Sequence, residues 1–207
     1  MTALNNFYRF IAPSVPGCPE PMIDQEIVNT AVDICTRTQI WQVWNDAQTI
    51  AAGNARYEVD PQSGARVNAI LSAKLDGEEL VPASADQLDL SNEDWRNATG
   101  EPTMYYLDDE SGEIVLVPKP IAAGSLEVLV SYATTYDATT VPDVLYRRYA
   151  EGFSAGAKAR LLAMRQPWGD ANLAALNIGI YEDCVRSILS LVSKAGTRMP
   201  LRVRSVP

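Results

Sequence analysis

The chain has 207 residues, 17 Lys plus Arg against 26 Asp plus Glu, and a formal net charge of −9. Apolar residues make up 47% and charged residues 21%, which is ordinary globular usage and excludes disordered and collagen-like classes. The length suits one compact domain, or one domain that carries an insertion. The chain contains no histidine, which excludes Ser-His-Asp and Cys-His nucleophiles and His-containing zinc or haem sites.

The three cysteines, Cys18, Cys35 and Cys184, are an odd number without CxxC spacing. We expect reduced thiols, with Cys35 and Cys184 on apolar helix faces. Residues 1–10 lack the basic start and apolar core of a signal peptide, and no stretch is long enough to span a membrane. These features predict a soluble protein made in the cytoplasm, with no membrane partner.

The N-terminal part, residues 1–46, is predicted to be a lead-in followed by one helix. Four prolines between Ile11 and Pro21 predict a stiff, extended segment. Apolar residues then recur at steps of three and four, which predicts one buried helix face: Ile23, Ile27, Ala31, Ile34, Thr38 and Trp41.

Residues 47–138 are predicted to form an inserted antiparallel β-domain, because the apolar period shifts to two and turn signals multiply. Asp76-Gly77 tolerates the positive φ angles of a tight hairpin between 67–75 and 78–82. A second hairpin joins 104–108 to 113–117, and Leu126–Tyr132 alternates as a half-buried strand does. We expect a short helix within 84–95.

Residues 139–196 are predicted to form two further helices. Thr140-Val141-Pro142-Asp143 resembles a capping box, and Asp170 is placed to cap the second helix. The apolar face predicted for that last helix consists of Leu173, Leu176, Ile180, Cys184, Ile188 and Leu191. Gly152 and Gly156 share one face of the first, and we expect another helix to approach them closely, which would offset the low helix propensity of glycine.

The predicted fold class is α+β: a small antiparallel helical bundle of three main helices, with an inserted β-rich antiparallel domain and an extended C-terminal tail. The first helix has an apolar face that it must bury against the last two, across the insertion. Residues 197–207 form the predicted tail.

The C-terminal segment differs in charge from the rest of the chain. From residue 194 it carries Lys194, Arg198, Arg202 and Arg204 with no acidic residue, and Leu201, Val203 and Val206 interleave with the arginines. Such an extended segment is either a peptide-like ligand for another protein or a solvated terminus. Nucleic-acid binding is disfavoured, because the acidic body of the chain repels phosphate.

Carboxylates are the main candidates for catalysis in a chain without histidine. Asp108, Asp109, Glu110 and Glu113 could serve a carboxylate-dependent hydrolase, but they lie at a hairpin turn, where acidic residues are ordinarily solvated. Their spacing does not match a calcium loop, and no phosphate-binding glycine motif occurs. Trp41, Trp44 and Trp168 are interpreted as packing anchors. We therefore predict no catalytic, cofactor-binding or metal-binding residues and no enzymatic activity.

Four stretches resemble phage head-to-tail adaptor proteins: Pro13-Ser14-Val15-Pro16-Gly17-Cys18-Pro19-Glu20-Pro21, Cys35-Thr36-Arg37-Thr38-Gln39-Ile40-Trp41, Gly156-Ala157-Lys158-Ala159-Arg160-Leu161-Leu162 and Gln166-Pro167-Trp168-Gly169-Asp170. The likeness is to the tail tubular protein A type of short-tailed phages. It covers both helical ends of the chain, whereas the β insertion matches in placement alone.

The resemblance implies a structural virion protein of the neck, made in the host cytoplasm and present as a ring of twelve copies beneath the portal protein. The ring would hold the tail nozzle or tail tube protein and let DNA pass its acidic wall without specific binding. The resemblance also implies that the tail reaches the portal, and the candidate contacts are Arg198, Met199, Leu201, Arg202, Val203 and Arg204. Gly152 and Gly156 would allow tight packing within the bundle or between copies. A carbohydrate- or protein-binding module and a carboxylate-dependent hydrolase are the alternatives.

Overall fold

The computed structural model describes residues 1–59, 63–91, 94–108 and 111–196. The described α-helices are α1 (Tyr8–Ile11), α2 (Glu20–Thr38), α3 (Ala85–Ser91), α4 (Asp143–Leu162) and α5 (Ala171–Gly196). The described strands are β1 (Thr2–Ala3), β2 (Gln42–Trp44), β3 (Gln48–Ile50), β4 (Arg56–Glu58), β5 (Ala65–Leu75), β6 (Glu78–Glu79), β7 (Val81–Pro82), β8 (Thr99–Gly100), β9 (Met104–Asp108), β10 (Glu113–Val117), β11 (Lys119–Pro120), β12 (Gly124–Thr134) and β13 (Thr140–Val141).

The chain divides into two compact units. Met1–Ile40 and the residues from Tyr136 onward form the first, called here the helical unit; Trp41–Thr135 form the second, the β unit. The sequence predicted an insertion over 47–138, whereas the β unit begins at Trp41, because β2 pairs with β12 inside that unit.

The predicted fold class is wrong in its helices and in its sheets. The described residues form five α-helices, and only α4 and α5 reach twenty residues. Two strand pairs, β7 with β9 and β8 with β11, are parallel, so the β unit is not an antiparallel domain. Periodicity detects long amphipathic segments, but it carries no information on short helices or on strand pairing. The chain is a mixed α+β fold with several sheets.

The lead-in at Ile11–Pro21 is not extended as predicted. Ile11 closes α1, and Ala12–Ser14 form a 3₁₀ turn whose proline lies in the first turn, where its missing N–H is no loss. Burial explains the difference, since Phe7, Ile11 and Val15 are each at most 1% exposed. The lead-in is therefore part of the core of the helical unit.

The buried face predicted for α2 is confirmed at Ile23, Ile27, Ala31, Ile34 and Thr38, which are all at most 3% exposed. The helix ends there because Gln39 adopts a left-handed conformation with φ 52°, and its N–H bonds to the carbonyl of Cys35. Trp41, predicted on the same face, lies beyond the helix in the β unit.

The start of α4 does not form the predicted capping box. Pro142 occupies the N-cap without a side-chain hydrogen bond, and Thr140 pairs in β13 with Ala3. Asp143 instead accepts a hydrogen bond from the Thr2 hydroxyl at 2.6 Å. The N-cap predicted for α5 is confirmed, because Oδ1 of Asp170 accepts the backbone N–H groups of Asn172 and Leu173 at 2.9 and 3.0 Å.

Both predicted hairpins form, but the strand predicted over 78–82 is divided, because only Glu78–Glu79 pair with β5 and Val81–Pro82 pair with β9 in another sheet. Asp76 and Gly77 have φ angles of 51° and 89° and join β5 to β6, and β9 pairs with β10 from Met104↔Val117 to Asp108↔Glu113. The longest sheet of the β unit has the order β2-β12-β5-β6, with β3 also on β12, and a second sheet has the order β4-β10-β9-β7. The buried apolar residues of the unit include Ile50, Ile114, Leu116, Leu126, Val130 and Tyr132.

The short helix predicted within 84–95 is α3. Leu88 from this helix, Trp95 and Val117 form a buried cluster of their own, with Met104 and Tyr106 packed against it. The rings of Trp95 and Tyr106 meet edge to face, with centroids 5.6 Å apart.

Candidate functional site

Gly152 and Gly156 of α4 lie where this helix contacts α5 and α2. A Cβ atom on Gly152 would stand 2.6 Å from both Cβ and Sγ of Cys184, and one on Gly156 would stand 2.6 Å from Cγ2 of Thr30 and 2.7 Å from the Tyr181 ring. No real Cβ atom approaches neighbours so closely, so glycine is required at both positions. The atoms that approach these glycines belong to the same chain.

Polar contacts join α2 to α5 beside this glycine face. The Tyr181 hydroxyl donates to Oδ2 of Asp33 at 2.5 Å, and the Arg37 guanidinium donates to both carboxylate oxygens of Glu182 at 2.8 and 2.7 Å. Burial, with help from the Asp33 carboxylate, raises the pKa of Tyr181 well above its ordinary value. Arg37 lowers the pKa of Glu182 through the paired hydrogen bonds. These contacts could not be predicted from the sequence, because residue spacing indicates only the Asp33–Arg37 pair, four residues apart within one helix.

The face of α5 that packs inward is not the predicted apolar face. Its buried residues are Ala174, Asn177, Tyr181, Val185 and Ile188, each at most 7% exposed. Only Ile188 belongs to the prediction among them, and Cys184 is half-buried against Gly152. Leu173, Leu176, Ile180 and Leu191 are between 44% and 62% exposed. The side of α5 that points outward therefore carries large aliphatic side chains.

The six candidate portal contacts lie outside the described residues, which end at Gly196: Arg198, Met199, Leu201, Arg202, Val203 and Arg204. The chain enters this segment directly from the C-terminal end of α5.

The carboxylates weighed as a hydrolase pair are bridged by a guanidinium. Nη1 of Arg56 lies 2.6 Å from Oδ2 of Asp108 and 3.1 Å from Oε2 of Glu113. These hydrogen bonds hold both carboxylates at the hairpin, and they raise the pKa of Arg56. Asp109 and Glu110 lie outside the described residues. The arrangement of the described side chains is that of a surface ion pair that joins β4, β9 and β10.

An open cavity of about 730 Å³ lies within the β unit, between β2, β4 and β12. Trp44 lines it and is 42% exposed, with the Lys74 ammonium 5.2 Å from its ring centroid. Trp41 instead packs inside the unit, with its ring 5.7 Å from that of Tyr132, and Trp168 is half-buried in the turn after α4.

Neither a metal centre nor a membrane span stands out in the described part of the chain. Within it, cysteine and carboxylate side chains form no group of three or more that could hold an ion, and no helix has both the length and the apolarity to cross a bilayer. Cys18, Cys35 and Cys184 form no disulfide; Cys35 is buried, and burial raises the pKa of Cys18 and Cys184.

Comparison with known protein families places this chain among the structural proteins of phage virions. Within that class it is a head-to-tail adaptor. The family model described as SU10 adaptor protein matches residues 11–204, so the chain belongs to that family. The resemblance to head-to-tail adaptors is thereby confirmed, whereas the likeness to the tail tubular protein A type stays a prediction. No curated protein matches the chain.

Proposed function

We propose that this adaptor assembles as a ring of twelve copies beneath the portal protein, joins it to the tail nozzle or tube, and surrounds the path of the DNA. The family match over residues 11–204 is the observation that carries this proposal. A wall built from copies of a chain with net charge −9 disfavours adhesion of DNA phosphates, which suits a passage that must release DNA during ejection.

We further propose that residues 197–207 are the portal-binding segment. Within this segment Arg198, Arg202 and Arg204 are suited to pair with carboxylates, and Met199, Leu201 and Val203 to fill an apolar groove. The segment follows directly on α5, so it is anchored at one end to a packed helix. The basic charge there contrasts with the acidic charge of the whole chain.

Native mass spectrometry of the chain mixed with the portal ring from the same genome tests both proposals. We expect the full-length chain to saturate the portal ring with a fixed number of copies, and a chain truncated after Gly196 to bind at least tenfold more weakly. A variant of full length in which Gln replaces Arg198, Arg202 and Arg204 separates the effect of the tail's charge from the effect of its length.

Each result has a separate meaning. Full binding by the truncated chain would overturn the assignment of the tail and leave the adaptor role intact. Absence of any complex with the full-length chain would overturn the portal-bound ring and favour a binding module built on the β unit.

A further inference from the structure

The outer face of α5 presents the largest set of exposed aliphatic side chains among the described residues. Of the twelve large apolar residues that are exposed in the described part of the chain, six belong to this one helix, and their exposed fractions run from 41% to 62%. The α5 outer face is defined here by these six: Leu173, Leu176, Ile178, Ile180, Leu189 and Leu191. These side chains form two rows along the helix, and clustered exposed aliphatic residues mark an interaction site more often than single exposed ones do.

The six side chains form two flanks along the helix. Leu173, Leu176 and Ile180 are three and four residues apart and share one flank, which Leu191 continues three turns further on. Ile178 and Leu189 follow the other flank. From Leu173 to Leu191 the face extends over about 27 Å, at 1.5 Å per residue.

Gly179 lies between the two flanks, and none of the described residues packs against it. A Cβ atom added there would meet no atom within 4 Å, in contrast to Gly152 and Gly156. A glycine in a helix interior lowers stability relative to alanine, and nothing among the described residues offsets this at position 179. The missing side chain leaves a shallow notch in the middle of the α5 outer face.

The charges of α5 are balanced, although the chain as a whole is acidic. Glu182 pairs with Arg37 of α2 at 2.7 Å, and Asp183 pairs with Arg186 at 2.5 Å. Copies of a chain with net charge −9 repel one another at most orientations. They approach at least cost through a helix side that carries two aliphatic rows and whose described charges, including Asp183 and Arg186 between the rows, are paired within the chain.

We propose that the α5 outer face binds a neighbouring copy of this chain, with Gly179 as the point of closest approach. The inference rests on the proposed ring, in which every copy must meet two neighbours through two different surfaces. The aliphatic face supplies several hundred Å² of apolar area, which is the order of the core of a standard interface of about 800 Å² per partner. Because the described charges of α5 are paired within the chain, a second copy of this acidic chain can pack on the α5 outer face.

Ile180→Asp in the full-length chain tests the inference, with Leu90→Asp as the matched control. Leu90 is 89% exposed on α3 and lies outside the proposed interface. Portal rings are titrated with each variant, and native mass spectrometry counts the copies bound per ring. We expect I180D to need at least tenfold more protein than the wild type to fill the ring, and L90D to fill it as the wild type does.

Gly179→Gln separates docking from folding. Glutamine is a good helix former and has open space at this position, so G179Q should melt at the wild-type temperature or above it. Its longer side chain fills the notch, and we expect ring filling to weaken at least tenfold. A variant that stays folded and loses assembly supports the inference, whereas one that fills the ring normally contradicts it.

The remaining outcomes also test the inference, separately from the proposed function. If the wild type and I180D fill the portal ring equally, the inference is overturned and the proposed function stands; the same holds if I180D loses only the tail protein. If the wild type binds no portal ring, the proposed function fails, and sedimentation velocity of the free chain decides the inference. A wild-type oligomer that I180D dissolves then supports it, and a monomeric wild type overturns it.

Discussion

At the residue scale, Tyr181 makes one of the two described polar contacts between α5 and α2, beside the Arg37–Glu182 pair. It is 6% exposed, its hydroxyl donates to Asp33, and its ring lies over Gly156. Asp33 in turn accepts from Arg37 at 3.4 Å, and Arg37 is bound to Glu182. A buried tyrosine with an ionised acceptor is stabilised as the neutral phenol, because the phenolate would be desolvated and would face a like charge.

We predict that Tyr181→Phe lowers the free energy of unfolding by about 1.5–3 kcal/mol at pH 8, the range for a hydrogen bond to a charged group. The raised pKa of Tyr181 means that its contribution is complete below the ordinary value of 10.0 and is lost as the pH rises above it. Tyr8, beside Asp24, has its pKa raised to about 12 by burial and acts in the same direction.

Urea unfolding at pH 8, 10 and 11 measures this contribution. The wild type should lose stability over that range more steeply than the Tyr181→Phe variant, which has no phenol to ionise at this position. Tyr136→Phe is the control, because Tyr136 is 67% exposed and should change neither stability nor slope. Equal alkaline slopes for the wild type and Y181F would contradict the assignment.

At the element scale, α5 packs closely on α4 at two glycines whose role was predicted from the sequence. The side of α5 that packs there was not predicted. The four-residue spacing of Gly152 and Gly156 is visible in the sequence, whereas their neighbours Cys184 and Tyr181 are known only from the fold. Because α4 has no side chain at residues 152 and 156, the side of α5 that carries Tyr181 and Cys184 packs directly against it.

We predict that Gly156→Leu lowers the free energy of unfolding by about 3 kcal/mol, because the new side chain has no space between Thr30 and Tyr181. Gly179→Leu is the matched control on α5, where a Cβ meets nothing within 4 Å. Higher helix propensity should make that variant more stable, by up to about 1 kcal/mol. Chemical denaturation of the three proteins gives both values, and equal stability of G156L and the wild type would refute the close packing.

Elements whose signals are local could be predicted from the sequence. The Asp76-Gly77 turn, the Asp170 cap and the α2 face each depend on a few neighbouring residues, and the structure has all three. The side of α5 that faces the core could not be predicted, because Leu173 and Leu176 are as apolar as buried residues whichever side of the helix packs inward. For the same reason the apolar face predicted for α5 was wrong, since Leu173, Leu176, Ile180 and Leu191 are exposed. The predicted portal contacts in 197–207 lie outside the described residues.

At the scale of the whole molecule, the division at Trp41 and Thr135 separates two cores that follow different rules. The helical unit buries residues at helical spacing on α2 and α5, whereas the β unit buries alternating residues in the first half of β12 and four consecutive residues of β10. The first and last strands of the β unit, β2 and β12, are paired at Val43↔Val130 and Gln42↔Ser131. Its two chain ends are therefore adjacent, the usual geometry of an inserted domain.

We predict that residues 41–135 fold on their own and unfold cooperatively, and that residues 47–138, the boundaries expected from sequence, form a less stable fragment. Starting at residue 47 removes β2 and leaves β12 unpaired on its β2 side from Leu129 to Ser131, although β5 still pairs with its other side. It also deletes the Trp41 ring that packs on Tyr132. It also removes Asn45, whose side-chain oxygen accepts the Tyr132 hydroxyl at 2.7 Å. Loss of a buried tryptophan alone costs about 3–5 kcal/mol.

Circular dichroism and urea unfolding of the two fragments test the boundary. Because the fragments differ at both ends, a third fragment, 41–138, shows whether the three added C-terminal residues matter, and we expect it to match 41–135. If 47–138 is as stable as 41–135, then β2 contributes nothing to the β unit, and the pairing of β2 with β12 does not define its edge. If 41–135 unfolds without cooperativity, the β unit depends on the helical unit, and the chain folds as one body.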